Sequence, residues 1–401
     1  MSVTAAEGFV AAGGACGIKD GGVPDLAVVA TADGQPVTAA GVFTTNLVAA
    51  APVQTSRAHL SDARAAAVVL NSGNANAATG EAGRAVARRM CERTAEVIGC
   101  ASTDVLVCST GLIGIPLPPA PLEAGIPKIV GDRGPTPEHG LGAATAIMTT
   151  DTKAKQATAV AVMPGGVKVT VGGMAKGAAM LSPAMATMLC AITTDAAVEA
   201  ATLNEALHDA VSASFDNLVV DGCRSTNDTV LVLANGAAGN PSINAYGDRA
   251  GFYALRDALT EVCAGLAEQM ARDAEGATKL ARIEVRGARS RDDARLAART
   301  VAHSQLVQCS LYGCDPYWGR VLSECGASGA YFDPERVDIA YSGITVARNG
   351  VACDHDAAAL AHVMQQYDIE IVVDLHCGDA TASVLTTDLT HAYVDENMGT
   401  S

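Results

Sequence analysis

The chain has 401 residues, 49% of them hydrophobic and 17% charged. That is enough apolar chain for two compact lobes and too much for a globally disordered one. With 27 basic residues against 43 acidic, the formal charge is −16, which argues against a general nucleic-acid binder, because such a protein needs a basic face.

Along the chain, β-branched apolar runs alternate with Ala-rich amphipathic segments. The runs predict strands over Ala66–Leu70, Val105–Cys108, Ala157–Met163, Val167–Val171, Met188–Thr193, Val230–Leu233, Ile283–Val285, Val337–Tyr341 and Ile369–Leu375. The 3.6-residue pattern predicts helices over Glu81–Ile98, Leu141–Met148, Leu203–Ser214, Arg249–Asp273, Arg291–His303 and His355–Gln366, the last capped by Asp354. Pro116–Pro137 is rich in Pro and Gly and reads as a surface excursion. The alternation is that of an α/β or α+β layered protein with substantial sheets.

No apolar run approaches the roughly 18 residues of a membrane span. The first residues, MSVTAAEGFV, lack the basic start and apolar core of a secretory signal. The 12 cysteines include no CxxC pair and read as small hydrophobes buried in a reduced, cytoplasmic protein. Common catalytic signatures are missing: there is no GxSxG, HExxH, GxxxxGK[ST] or GxGxxG. Asp374, His376, Cys377 and Asp379 lie close enough in sequence to suggest a metal loop, but such a run more often just ends a strand, and no metal is expected.

Three segments stand out. In Gly177–Ala196, GAAMLSPAMATMLCAITTDA, small residues surround one hydroxyl, Thr187, at the start of a buried strand. In Asn71–Gly80, NSGNANAATG, three Asn and two Gly mark a loop with unusual backbone, either a plain turn or amides grouped round a polar site. Ser109-Thr110-Gly111 follows the strand VLVC; a Thr hydroxyl beside a Gly amide could form an oxyanion hole.

Taken in order, these segments resemble the ornithine acetyltransferase family, also called bifunctional glutamate N-acetyltransferase or ArgJ. The resemblance spans the chain: GIK at Gly17–Lys19, DLAVV at Asp25–Val29, NSGNANAATG, CSTGLIG, AIMTTDT at Ala146–Thr152, GGMAKGAAML at Gly172–Leu181, MATMLCAITTDA, STNDT at Ser225–Thr229, DAEGATK at Asp273–Lys279, GCDPYWGR at Gly313–Arg320 and TTDLTHAYVDEN at Thr386–Asn397. It implies a layered fold of sheets sandwiched by helices, cut by the protein itself between Ala186 and Thr187. The products are an α chain, residues 1–186, and a β chain, residues 187–401, which share a core and assemble as an α2β2 heterotetramer.

The implied activity is in arginine biosynthesis. Thr187 takes the acetyl group of N-acetylornithine and passes it to glutamate in a ping-pong cycle; some members also accept acetyl-CoA. The new α-amine, with an ordinary pKa of about 7.7–8.0, would act as base for its own hydroxyl. Thr110 and Gly111 match the oxyanion-hole pair, and Thr150, Lys176, Glu275 and Asn397 match substrate contacts, with Thr149 or Thr152 as alternative registers for Thr150. A last contact falls at Thr400 or Ser401. No metal, nucleotide, nucleic acid or membrane is involved. The chain departs from the family pattern at Tyr317, at Ala78 and in its short tail after Asn397. Two other readings fit a self-processing or once-processing chain: an N-terminal-nucleophile amidase or aminopeptidase, or a binding protein that kept the fold and lost the chemistry.

Overall fold

The computed structural model describes residues 2–180 and 188–399. The chain divides into two compact units: Met1–Ala178, Ala184–Asp216 and Arg224–Met270 form the first, and Ala179–Pro183, Asn217–Cys223 and Ala271–Ser401 the second.

The first unit holds strands β1 (Phe9–Gly14), β2 (Leu26–Thr31), β3 (Val37–Phe43), β4 (Arg64–Ala65), β5 (Ala67–Asn71), β6 (Val105–Ser109), β7 (Lys155–Val162), β8 (Lys168–Lys176) and β9 (Leu189–Thr194). The two-residue β10 (Leu218–Val219) belongs to the second unit, and β11 (Thr229–Ala234) to the first. The helices of the first unit are α1 (Ala51–His59), α2 (Gly80–Ile98), α3 (Pro119–Gly131), α4 (Pro137–Ala146), α5 (Ala200–Ala213) and α6 (Arg249–Arg272), whose last two residues cross into the second.

Two sheets face each other in this unit. One has the order β1-β2-β5-β6 and the other β4-β3-β11-β9-β8-β7. Strand β2 shows why: all six residues of LAVVAT are buried, so its two faces must both meet apolar partners. Ala27 and Val29 point to the second sheet, into a core shared with Met174, Leu189, Leu231 and Leu233. Leu26, Val28 and Ala30 point the other way, against Met90 and Cys91 of α2 and Ile126 and Val130 of α3. Helix α6 covers the far face of the second sheet, where Val262 and Leu266 approach Gly173. The unit is thus layered helix, sheet, sheet, helix. The expected chains 1–186 and 187–401 both contribute to the second sheet: β8 pairs antiparallel with β9, Lys176 opposite Leu189, and β9 pairs parallel with β11.

The second unit adds β12 (Leu280–Ala288), β13 (Asp338–Tyr341), β14 (Ile344–Arg348), β15 (Val351–Ala352), β16 (Asp368–Asp374) and β17 (Ala380–Thr387), with helices α7 (Arg291–His303), α8 (Gln305–Tyr312), α9 (Trp318–Ala327), α10 (Ala357–Met364) and α11 (His391–Glu396). Its sheet runs β10-β17-β12-β16-β13-β14-β15. In β16, Ile369, Ile371 and Val373 are buried and alternate with the exposed or half-buried Asp368, Glu370, Val372 and Asp374, the period of a sheet with one wetter face. Ala294, Ala297, Ala298, Val301 and Ala302 line one stripe of α7 and join them in the core.

Several expectations need correction. Pro116–Pro137, read as a surface excursion, holds a helix, because α3 occupies its middle. Pro119 and Pro121 lie in the first turn, where no intrahelical N–H is needed, and Leu122, Ile126, Ile129 and Val130 give it a buried stripe. Helix α10 is capped by Asp356, whose Oδ1 accepts from the Ala359 N–H at 2.9 Å, and not by Asp354. Strands β1, β2, β3 and β17 went unpredicted because Ala, Gly and Thr carry weak apolar periodicity; their partners in the sheets supply what propensity does not. Five cysteines (91, 108, 190, 263 and 325) are buried, but Cys223 and Cys309 are exposed.

Candidate functional site

Ala186 and Thr187, the bond and nucleophile expected from the sequence, lie outside the described residues, as do Thr400 and Ser401. The surroundings of that bond are described on both sides.

Strands β5 and β6 run parallel, with Asn71 opposite Ser109, so the Asn-rich loop and the Thr110–Gly111 turn leave the sheet side by side. The loop's amides are spent on holding the turns. Asn71 donates to the Asn74 carbonyl (2.9 Å) and accepts from the Ser109 hydroxyl (2.6 Å), while Asn74 donates to the Ile115 carbonyl (3.1 Å) and Asn76 to the Gly83 carbonyl (2.9 Å). Of the two readings of this loop, the first applies: it is a scaffold. At Gly111 the chain needs glycine twice over. Its φ is +130°, and a Cβ there would sit 2.3 Å from the Gly73 carbonyl carbon. Among the described residues, neither the Gly111 N–H nor the Thr110 hydroxyl has a hydrogen-bond partner. Thr110 is nevertheless buried, its own N–H fixed on the Asn71 carbonyl at 3.0 Å. Two donors held rigidly and left unspent are what an oxyanion hole requires.

Lys176 ends β8, 4% exposed. Its ammonium donates to the Thr149 hydroxyl at 2.6 Å and lies 3.8 Å from Asp151 Oδ2. Asp151 is the hub: its Oδ1 accepts from Lys155 Nζ (2.6 Å) and the Gly177 N–H (2.8 Å), and its Oδ2 from the Thr149 N–H (3.0 Å). Burial pushes the Asp151 carboxyl up, but Lys176 and Lys155 overrule it and hold it well below the usual carboxylate range. Thr150, the expected contact, is exposed and its neighbour Thr149 meets Lys176. The GIK and DLAVV motifs are explained by Asp25, fully buried, whose carboxylate accepts from the N–H groups of Cys16, Gly17, Ile18 and Lys19 at 2.6–3.0 Å. Lys19 then reaches the Met148 carbonyl at 2.6 Å, and burial lowers its pKa.

The STNDT motif ties these parts together. Asn227 donates to the carbonyls of Ala75 (2.6 Å) and Ser109 (2.8 Å). The next residue, Asp228, is fully buried and accepts from the Met188 N–H at 3.0 Å, while the Thr229 N–H donates to the Met188 carbonyl at 3.0 Å. One dipeptide therefore grips the residue before Thr110 and the residue after Thr187.

In the second unit, Glu275 follows α6 and Asn397 ends α11. Asn397 donates to Glu275 Oε2 at 2.7 Å and to the Tyr393 carbonyl at 2.8 Å. Gly276 makes the approach of α11 feasible, because a Cβ there would lie 2.4 Å from the Tyr393 nitrogen. Beside them, Asp221 accepts from the Met180 N–H (2.6 Å) and the Tyr393 hydroxyl (3.2 Å); burial raises its pKa, and Glu275 adds to the rise. His376 lies with Nε2 3.1 Å from Asp338 Oδ2 and Nδ1 3.4 Å from Asp374 Oδ1. Sequence reasoning missed Asp151, Lys155, Asp221, Asp228 and Tyr393; Asp151, Asp228 and Tyr393 sit inside motifs that had been noticed, and burial sets the two acids apart while Tyr393 is half-buried.

The sequence model of the ArgJ family matches residues 10–399. The chain belongs to the ArgJ family. The arginine biosynthesis bifunctional protein ArgJ of Symbiobacterium thermophilum is 48% identical over 395 residues, 98% of this chain and 97% of that protein. Its namesake in Thermobifida fusca is 47% identical over 401 residues and the full length of both. A solved ornithine acetyltransferase from Mycobacterium tuberculosis, complexed with ornithine, is 39% identical over a match covering 47% of this chain and 96% of that chain, with a TM-score of 0.40. Among the described residues no helix is long and apolar enough to cross a membrane.

Proposed function

We propose that this chain moves the acetyl group of N2-acetylornithine to glutamate in arginine biosynthesis, as an ester on Thr187. Membership of the ArgJ family supports the reaction, and one observation carries the assignment of residues: Asn227 and Asp228 bond the neighbours of Thr110 and Thr187 from consecutive positions. In the precursor, the Thr187 hydroxyl attacks the Ala186 carbonyl, and water hydrolyses the ester to give chains 1–186 and 187–401. In turnover, the same hydroxyl attacks the acetyl carbonyl and ornithine leaves. The amine of glutamate then attacks the acetyl-Thr187 ester. Each tetrahedral oxyanion accepts from the Thr110 hydroxyl and the Gly111 N–H. Lys176, beside Thr149 and Thr150, supplies the positive charge for a substrate carboxylate, and Glu275, oriented by Asn397, meets a substrate ammonium. The cycle needs no metal or nucleotide, and the reading places an α2β2 heterotetramer in the cytoplasm.

The test is a denaturing intact mass spectrum followed by an acetyl-transfer assay. Two species that sum to the chain plus one water, the second starting at Thr187, and loss of N-acetylornithine that depends on glutamate are expected. A single uncut species with full activity would remove Thr187 as nucleophile. Release of acetate at a rate indifferent to glutamate would make the protein an amidase. Loss of acetyl-CoA under the same conditions would establish the second donor.

A further inference from the structure

The GIK motif contains a cation that the reaction cycle leaves unused. Lys19 is half-buried, and its ammonium donates to the carbonyls of Met148 at 2.6 Å and Pro24 at 3.2 Å. Propping two carbonyls takes two donors, and a neutral side-chain amide supplies two without bringing a charge in from water. The charge of Lys19 and its third N–H are surplus to that task. Among the described residues no carboxylate forms an ion pair with it. The carboxylate of Asp25 is taken up by the backbone N–H groups of residues 16–19.

Two observations set that ammonium beside groups already assigned to substrate. Lys19 and Lys176 converge on consecutive residues, Lys19 on the Met148 carbonyl and Lys176 on the Thr149 hydroxyl, each at 2.6 Å. The stem of Lys19 also runs over Gly73, where a Cβ would lie 2.9 Å from Lys19 Cγ. Gly73 in turn abuts the oxyanion turn, since a Cβ on Gly111 would lie 2.3 Å from the Gly73 carbonyl carbon. Burial lowers the pKa of Lys19; among the charges that act on it, Lys176 deepens the fall, while Asp25 and Asp151 oppose it. Asp151, 3.8 Å from the Lys176 ammonium, offsets part of the repulsion between the two lysines. An anion between them would turn that repulsion into attraction.

We propose that Lys19 is a second cation for the substrate carboxylate, which lies between Lys19 and Lys176 with one oxygen accepting from each ammonium. This rests on the reading that the chain moves acetyl from N2-acetylornithine to glutamate. Both molecules carry an α-carboxylate on the carbon that bears the nitrogen losing or gaining the acetyl group, so one clasp serves both halves of the cycle. A single ammonium is a point charge and sets no orientation. Two of them hold both oxygens, and with them the direction in which the α-nitrogen is presented to the Thr110–Gly111 turn.

The test is Lys19→Met in the full chain, which keeps the stem over Gly73 and removes the ammonium. KM should rise about ten- to a hundredfold for N2-acetylornithine and for glutamate, the loss expected for one charge-assisted hydrogen bond, with kcat within about threefold. N-acetylputrescine, which is N2-acetylornithine without its carboxylate, should inhibit wild type and variant with the same Ki. A prop that merely shaped the pocket would weaken carboxylated and decarboxylated ligands alike. An unchanged KM for either substrate, or a Ki that weakens along with KM, therefore overturns the proposal and leaves the acetyl-transfer reading standing. Wild-type protein that passes no acetyl group to glutamate overturns both. Should the variant fail to fold, the wild-type enzyme decides: its lysines are reductively methylated with formaldehyde, with and without saturating N-acetylglutamate, and mapped by mass spectrometry. Protection of Lys19 with none of the exposed Lys168 supports the clasp, and equal labelling of Lys19 in both samples overturns it.

Discussion

Asp151→Asn puts the electrostatics of the first unit to the sharpest test. The side chain is the common partner of Lys155, 1% exposed, and Lys176, 4% exposed. Asn retains one acceptor, so the bonds from Lys155 Nζ (2.6 Å) and the Gly177 N–H (2.8 Å) keep a carbonyl oxygen. Its NH2 group takes the place of Oδ2, where it meets the Thr149 N–H and the Lys176 ammonium, donor against donor. Two buried cations lose a carboxylate they share. Removing one partner of a buried pair typically costs about 3–5 kcal/mol; at about 2–4 °C per kcal/mol for a unit of this size, Tm should fall by about 6–20 °C. The pH dependence follows from the sign of the shift. Burial raises the carboxyl's pKa, the two lysines lower it further, and the folded value ends below the unfolded one of about 3.9. The stability it contributes is therefore complete above pH 4 and lost as pH falls through the folded value. Thermal melts of wild type and variant at pH 7 and pH 5 should show the full gap, and melts at pH 3 a narrower one. Adding Lys155→Met to Asp151→Asn should restore part of the loss, because it removes a buried charge that has lost that carboxylate. A Tm drop under about 2 °C at pH 7, or a double variant less stable than the single one, would refute the reasoning.

Thr110→Ala removes one oxyanion donor, and kcat should fall about 10²–10³-fold with KM and Tm nearly unchanged, since that hydroxyl holds no described residue; steady-state kinetics beside a thermal melt separate the two outcomes. Gly111→Ala places a Cβ 2.3 Å from the Gly73 carbonyl carbon at a φ of +130°, which adds strain of about 1–3 kcal/mol and pushes the amide out of line, so its activity should fall below that of Thr110→Ala; wild-type turnover would show that the turn can shift without loss. Asn397→Ala frees Glu275 from a charge-assisted bond worth about 1.5–3 kcal/mol, and KM for N-acetylornithine should rise about tenfold or more while the mass spectrum still shows cleavage; an unchanged KM would make the Glu275–Asn397 pair purely structural.

The parts of this fold that the sequence exposed are those whose apolar pattern is strong. Val105–Cys108 and Ile369–Leu375 are long β-branched runs, and α7 carries its Ala/Val stripe in register for three turns. What stayed hidden is built from small residues. FVAAGG and VTAAGVF form β1 and β3 because neighbouring strands complete their ladders, and no local preference says so. Gly172 and Gly173 looked like the end of a strand after Val171, yet β8 continues to Lys176 because it is paired on both sides, with β7 and β9. That continuation matters for the site: it carries Lys176 to the strand end opposite Leu189.

The site shows the reverse bias. Motifs located its neighbourhoods well, but residue type alone gave a misleading ranking within them. Asn71, Asn74 and Asn76 read as a turn or as amides grouped round a polar site, and all three are buried and committed to backbone carbonyls or turn contacts. Asp151 and Asp228 were ordinary letters in AIMTTDT and STNDT. In the structure they are buried carboxyls pushed in opposite directions: two lysines hold the pKa of one well below the usual carboxylate range, while burial pushes that of the other well above it. A sequence records that an acid is present, whereas its charge depends on what folding brings within a few ångströms. Asp228 differs from Asp151 in that its burial outweighs its bonds to Met188 and Ser225 and the charge of Lys176.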